Sequence, residues 1–206
     1  MDKLLLKDTV GFLNFTPGQI NESLNKNNGR LIVSGIMQRG STGDEKNFNQ
    51  NGRSYPLPIL KREAEKYKKV FVQENRALGE LDHPDSSVVN LHNASHNILD
   101  LWWDGTDLIG KIEILSTPSG NIAKELLKSG IRLGISSRGM GSVKNLGEGK
   151  VEVADDFEIV CWDLVSNPST QGAFMDTVLS ENTNKGIVFD KTKRINSLIN
   201  DIITLM

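Results

Sequence analysis

The sequence predicts a mainly β, α+β domain ending near residue 178, followed by a polar linker and an amphipathic C-terminal helix. Three observations carry this expectation. Short runs rich in branched and aromatic residues alternate with turns that contain Gly and Pro. Only two internal segments are good helix formers. The composition turns polar at Ser180, after which Ile195, Leu198, Ile199, Ile202 and Met206 recur at helical spacing.

In chain order, residues 21–30 read as a polar loop and residues 31–37 as a buried strand. A polar stretch over 38–55 ends in the Asn51-Gly52 turn, and Pro56 and Pro58 suit the start of a helix over 59–70. Residues 79–95 look irregular. The apolar runs 98–103 and 108–115 flank Asp104-Gly105, the sequence of a tight hairpin. Thr117-Pro118-Ser119-Gly120 opens a short helix over 121–128, and Gly130 closes it as a left-handed cap. Residues 131–137 and 151–165 read as further strands, separated by a glycine-rich segment over 139–149.

Composition narrows the function. A chain of 206 residues fits one domain and a tail, and 37% hydrophobic residues are enough for a single core. A net charge of −2 argues against a protein that coats nucleic acid. The single cysteine, Cys161, excludes an intramolecular disulfide framework and a Cys-rich zinc site. The longest apolar stretches fall far short of the roughly 20 residues a membrane helix needs, and the first ten residues lack the pattern of a secretory signal. The expectation is a soluble protein of a reducing compartment.

Three residues on separate β segments could carry chemistry. His83 precedes Pro84, which drives its backbone to an extended conformation and restricts the direction of the imidazole. If residues 131–138 form a strand, Ile131, Leu133, Ile135 and Ser137 face the core, and Arg132, Gly134, Ser136 and Arg138 face the other way. Ser136 then projects between glycines where a substrate backbone could approach, although from the pattern alone a solvated sheet face ending in a turn is the favoured reading. Asp163 stands in an apolar run beside Trp162, and burying it unpaired would cost several kcal/mol. A histidine N–H would satisfy it, as would water at an edge strand or the turn that begins at Ser166. A hydroxyl, an imidazole and a carboxylate are what nucleophilic catalysis by serine requires, because serine needs a base and the base needs an orienting acceptor.

Several motifs together resemble the prohead (procapsid maturation) serine proteases of tailed phages. They are Asn51-Gly52-Arg53-Ser54-Tyr55-Pro56, Gly79-Glu80-Leu81-Asp82-His83-Pro84, Leu101-Trp102-Trp103 and Gly134-Ile135-Ser136-Ser137-Arg138-Gly139-Met140-Gly141, over roughly residues 30–175. A weaker match is Asp163 with Asn167-Pro168-Ser169.

The resemblance implies distant similarity to herpesvirus assemblin and thus a barrel-like antiparallel core with flanking helices. It puts the base on His83 and the nucleophile on Ser136. Asp163 becomes the third member where assemblins use a second histidine. It implies a protease domain over 1–178 and autocleavage near Leu179-Ser180-Glu181. It also implies cleavage after glutamate, hence a cationic pocket, with Arg53, Arg132 and Arg138 as candidates, and Arg138 and Gly139 beside an oxyanion hole. The implied substrates are phage scaffold, core and capsid proteins inside the assembling prohead in the host cytoplasm, with no cofactor, metal, nucleic acid or membrane. The C-terminal stripe suits docking on scaffold, on another subunit or on the enzyme's own groove, and equally packing on the domain.

Three alternatives compete. His92 and His96 have i, i+4 spacing and, with His83 or Asp85, would suit a metallohydrolase, but no glutamate lies between them. A non-catalytic capsid or scaffold protein would explain the tail. Cys161 as nucleophile lacks a motif and reads as core filler.

Overall fold

The computed structural model describes residues 4–13, 17–43, 46–166 and 174–177. The expected tail and the cleavage site near Glu181 lie outside the described residues.

Eight strands form one mixed, mostly antiparallel sheet. In chain order these are β1 (Leu4–Leu13), β2 (Leu31–Arg39), β4 (Leu78–Glu80), β5 (Ala94–Asp104), β6 (Asp107–Ile114), β7 (Leu133–Gly141), β10 (Glu158–Val165) and β11 (Phe174–Thr177). Their spatial order is β10-β7-β1-β11-β2-β6-β5-β4. The ladders describe an open sheet. One parallel bridge, Leu81 to Leu164, brings the chain just after β4 beside β10 at the opposite end of the order. A second, three-stranded sheet joins β3 (Arg53–Ser54), β9 (Lys150–Val153) and β8 (Val143–Gly147).

The helices cover the apolar face. In α1 (Pro17–Lys26), Ile20 and Ser23 are buried, and the Ser23 hydroxyl donates to the Ile32 carbonyl at 3.1 Å. The expected polar loop over 21–30 is therefore helical through Lys26, because one face packs on β2. The α2 helix (Leu57–Tyr67) buries Leu60, Ala64 and Tyr67 and runs on as a π-helical turn over Lys68–Val72. Thr117 caps α3 (Pro118–Lys128) by accepting from the Gly120 N–H at 3.1 Å, and Gly130 ends it at φ +77°. The hairpin of β5 and β6 turns at Gly105, φ +60°.

Two further expectations are corrected. The single strand over 151–165 is two, β9 and β10, because the Asp155-Asp156 turn interrupts it where the chain passes from the small sheet to the large one; the Asp156 carboxylate accepts from the N–H and hydroxyl of Ser142, both at 2.9 Å. The glycine-rich linker contains β8, which pairs with β9 across Glu148 and Gly149, both at positive φ. Residues 79–95 also hold β4 and a 3₁₀ turn, Leu91–Asn93.

Candidate active site

Strands β7 and β10 supply two of the three candidate side chains. Their register pairs Ser136 with Asp163, Arg138 with Cys161, and Ser137 with Trp162. Residues directly opposite in an antiparallel pair share a face. Leu133, Ile135, Trp162 and Leu164 join the hydrophobic core, so Ser136, Arg138, Cys161 and Asp163 lie on the other side. The alternation expected from sequence holds from Leu133 to Arg138, whereas Ile131, expected in the core, lies ahead of the strand and is exposed; the second face is not a solvated one. Ser136, Arg138, Cys161 and Asp163 are all fully buried.

His83 arrives from the opposite end of the sheet. Leu81 bridges Leu164, and the Asp82 N–H donates to the Leu164 carbonyl at 2.7 Å. Asp82 adopts a left-handed conformation, φ 71°, which aspartate tolerates better than most residues. Its carboxylate accepts from the His83 N–H at 2.9 Å. Turned by Asp82, the imidazole reaches both partners. Its Nδ1 lies 2.7 Å from Asp163 Oδ2, and its Nε2 hydrogen-bonds Ser136 Oγ. An ionised carboxylate only accepts, so Nδ1 carries the proton and Nε2 offers its lone pair to the serine hydroxyl. The His83 side chain keeps 15% exposure, which leaves the centre open at one edge.

Asp163 is held from several directions. The Glu80 N–H donates to Oδ1 at 2.9 Å, Arg138 Nη2 reaches Oδ1 at 3.2 Å, and Arg138 Nε stands 3.0 Å from Oδ2. Burial works to raise its pKa, but the bonds from His83 and Glu80 and the Arg138 charge together hold it below the usual carboxylate value. Full burial removes the alternative of an edge carboxylate facing water, and the turn of the other alternative runs into residues outside the described ones.

Arg138 is the centre of a buried network. Nη2 donates to Glu80 Oε1 at 2.8 Å and Nη1 to the Ser86 carbonyl at 2.8 Å. Nη2 and Nε also approach Cys161 Sγ at 3.0 and 3.3 Å, and Cys161 lies 3.2 Å from Asp163 Oδ1. Burial and the neighbouring Asp163 push the Cys161 thiol up, so it stays neutral and serves here as a small hydrogen-bonding group.

The cationic pocket expected from sequence is corrected at Arg138. Its guanidinium is committed to buried carboxylates and does not line an open subsite. Arg132 is exposed just ahead of β7, about 13 Å of extended chain before Ser136. Arg53 donates from Nη1 to the Lys7 carbonyl at 3.2 Å. Gly139 lies inside β7, where a Cβ would stand 2.4 Å from the Phe157 ring and 2.8 Å from the Glu158 carbonyl; its smallness serves packing.

The other two histidines are separate. His92 is exposed in the 3₁₀ turn, whereas His96 is buried in β5. Its Nε2 donates to the Trp162 carbonyl at 3.0 Å and its Nδ1 accepts from Ser95 Oγ at 2.9 Å. Burial lowers its pKa to about 4, against the pull of Asp163. Among the described residues, no group of three or more His, Cys, Asp or Glu is arranged to hold a metal ion.

Sequence reasoning gave no role to Glu80 or to the Lys7–Asp85 ion pair beside His83. For Glu80 a signal existed: a carboxylate between Gly79 and Leu81 calls for a buried cation, and Arg138 sits in an equally apolar strand.

A hydroxyl and a carboxylate on neighbouring strands, joined in hydrogen-bonded series by an imidazole from the loop after β4 and not from a strand, define a class known among peptide hydrolases. The comparisons agree with that class and narrow it. The chain belongs to the family of prohead core protein serine proteases, whose match spans residues 14–184. It is 34% identical over 149 residues to the prohead core protein protease of Enterobacteria phage T4, covering 70% of this chain and 68% of that one. It also resembles the solved structure of the bacteriophage T4 capsid assembly protease, with a TM-score of 0.66 and 27% identity over 80% of this chain and 99% of the other.

Proposed function

We propose that the chain is a serine endopeptidase that processes scaffold, core and capsid proteins inside the phage prohead, with Ser136 as nucleophile, His83 as general base and Asp163 as its orienting acceptor. The observation that carries this reading is the continuous hydrogen-bonded path from Asp163 through His83 to Ser136. His83 Nε2 takes the proton of Ser136 Oγ as the oxygen attacks the peptide carbonyl. Backbone N–H groups near the nucleophile would stabilise the oxyanion. The imidazolium gives its proton to the leaving amine, and water, deprotonated by His83, hydrolyses the acyl-enzyme. Asp163, kept anionic by its donors, stabilises the imidazolium in both halves of the reaction.

On this reading residues 1–178 are the protease domain, with a barrel-like core in the manner of assemblin, a reading supported by the bridge between Leu81 and Leu164. The segment after Glu181 is the product of autocleavage.

The experiment incubates wild-type and Ser136→Ala protein with candidate scaffold protein. Wild type cleaves it, and Ser136→Ala is slower by on the order of 10⁶. Intact mass then shows wild type trimmed after Glu181 and Ser136→Ala full-length. Equal cleavage by both proteins would refute the reading, and equal trimming would refute autocleavage.

A further inference from the structure

We infer that Arg138 and Glu80 form a positioning pair that holds Asp163 and His83 in line and sets the electrostatic balance at His83. The inference rests on the triad reading above and adds two residues that touch no reacting atom. One guanidinium grips both flanks of the histidine, since Glu80 lies three residues before His83 and Ser86, whose carbonyl accepts from Nη1, lies three residues after it. The same group contacts both carboxylate oxygens of Asp163. Arg138 therefore ties together β4, β7, β10 and the loop that follows His83. Glu80 adds a second hold on that loop, because its Oε1 accepts the Asn90 N–H at 2.9 Å.

Packing alone does not account for Glu80. Its Oε2 is buried with no hydrogen-bond partner among the described residues, and an orphaned carboxylate oxygen is costly. A glutamine of the same shape would fill the space without the charge. The charge has a use, however. Asp163 and Glu80 carry two negative charges and Arg138 one positive charge, leaving a net single negative charge that a protonated His83 neutralises. Removing Arg138 leaves two negative charges around the imidazole and favours its protonation. Removing the Glu80 charge leaves Asp163 balanced by Arg138, with no net charge, and disfavours it.

The other titratable or charged groups near His83 are constant across these changes. They are Lys7 on β1 with its partner Asp85, Asp82 beside it in the chain, the neutral thiol of Cys161, neutral His96 on β5, and Tyr67 on α2, whose pKa burial holds well above its usual value.

The test uses full-length protein and two readouts. In a Ser136→Ala background, NMR of labelled histidine follows the titration of His83, identified by its loss in His83→Gln. This readout does not depend on turnover, so it judges the pair even if the chain proves to lack Ser136-dependent cleavage. In active protein, the acid limb of the kcat/KM profile reports the same group. Glu80→Gln is expected to move both to lower pH by on the order of one unit, and Arg138→Gln to move both upward. Arg138→Lys keeps the charge but loses the fork, so kcat falls at least about tenfold with KM nearly unchanged and the midpoint in place.

An unmoved or upward-shifted midpoint in Glu80→Gln overturns the inference, as does full kcat in Arg138→Lys. Loss of the fold in Glu80→Gln overturns it too, since the ion pair would then hold the fold and not tune the site. If Arg138→Gln does not fold, Glu80→Gln and Arg138→Lys decide the question.

Discussion

At the scale of single residues, the centre depends on polar groups whose ionisation burial alone would oppose. Asp163 and His96 illustrate opposite outcomes of the same desolvation. Asp163 gathers donors and stays charged, whereas His96 has only a carbonyl and a serine hydroxyl and stays neutral. The consequence for His96 is measurable. Its ordinary pKa of 6.5 drops to about 4 in the fold, so the unfolded chain takes up the proton first as the solution is acidified. Its contribution to stability is complete above pH 6.5 and declines as the pH falls toward 4, by at most roughly 3 kcal/mol. Asp163 acts lower, because its pKa is depressed in the fold: its contribution is present above pH 3.8 and fades only below that. Urea denaturation at pH 7 and pH 4.5 should show a loss for wild type that is markedly smaller in His96→Gln. The same loss in both proteins would remove His96 as the cause.

At the scale of elements, β4 is the piece on which the site turns. It has three residues, pairs with β5, and leads into the Leu81 bridge and the left-handed Asp82. Gly79 makes the approach possible, since a Cβ there would lie 2.0 Å from the Trp162 carbonyl and 2.3 Å from the His96 ring. Backbone on one side and a buried ring on the other leave little room to relax. Gly79→Ala should destabilise the protein by about 3 kcal/mol or more and abolish activity, as thermal unfolding and a cleavage assay would report. A variant with wild-type melting temperature and rate would show that this contact yields.

The strands β2, β5, β6 and β7 were legible because alternation and branched residues mark them, and the α2 and α3 helices because Pro and Gly frame them. The β4 strand was not, since three residues are too short for periodicity and their pairing is long-range. The buried face of β7 escaped for a related reason. Alternation tells that Arg138 and Ser136 share a side, but only the approach of His83, Glu80 and the following loop tells that the side is covered. His83, Ser136 and Asp163 could be proposed from motifs and a cationic subsite from the resemblance, but not the arginine that lines it, because which arginine is already neutralised depends on partners 58 and 25 residues distant in the chain.

At the scale of the whole molecule, the base follows the strand at one end of the sheet order and its carboxylate partner sits on the strand at the other, next to the nucleophile's strand, and the two ends are joined beside the site by one bridge and the Asp82 bond. Short end strands open more readily than central ones. Activity should therefore be lost at lower urea than the bulk secondary structure. Parallel titrations of cleavage rate and far-ultraviolet circular dichroism would show separated midpoints, and coincident midpoints would mean that the site dissolves only with the fold.

The central claim is that His83 makes Ser136 a nucleophile. The most direct measurement is the reaction of the full chain with a phosphonofluoridate, followed by peptide mapping by mass spectrometry. The account predicts one adduct on Ser136, absent from Ser136→Ala and at least about a hundredfold slower to form in His83→Ala. An unmodified Ser136, or an adduct that forms equally fast without His83, would contradict it.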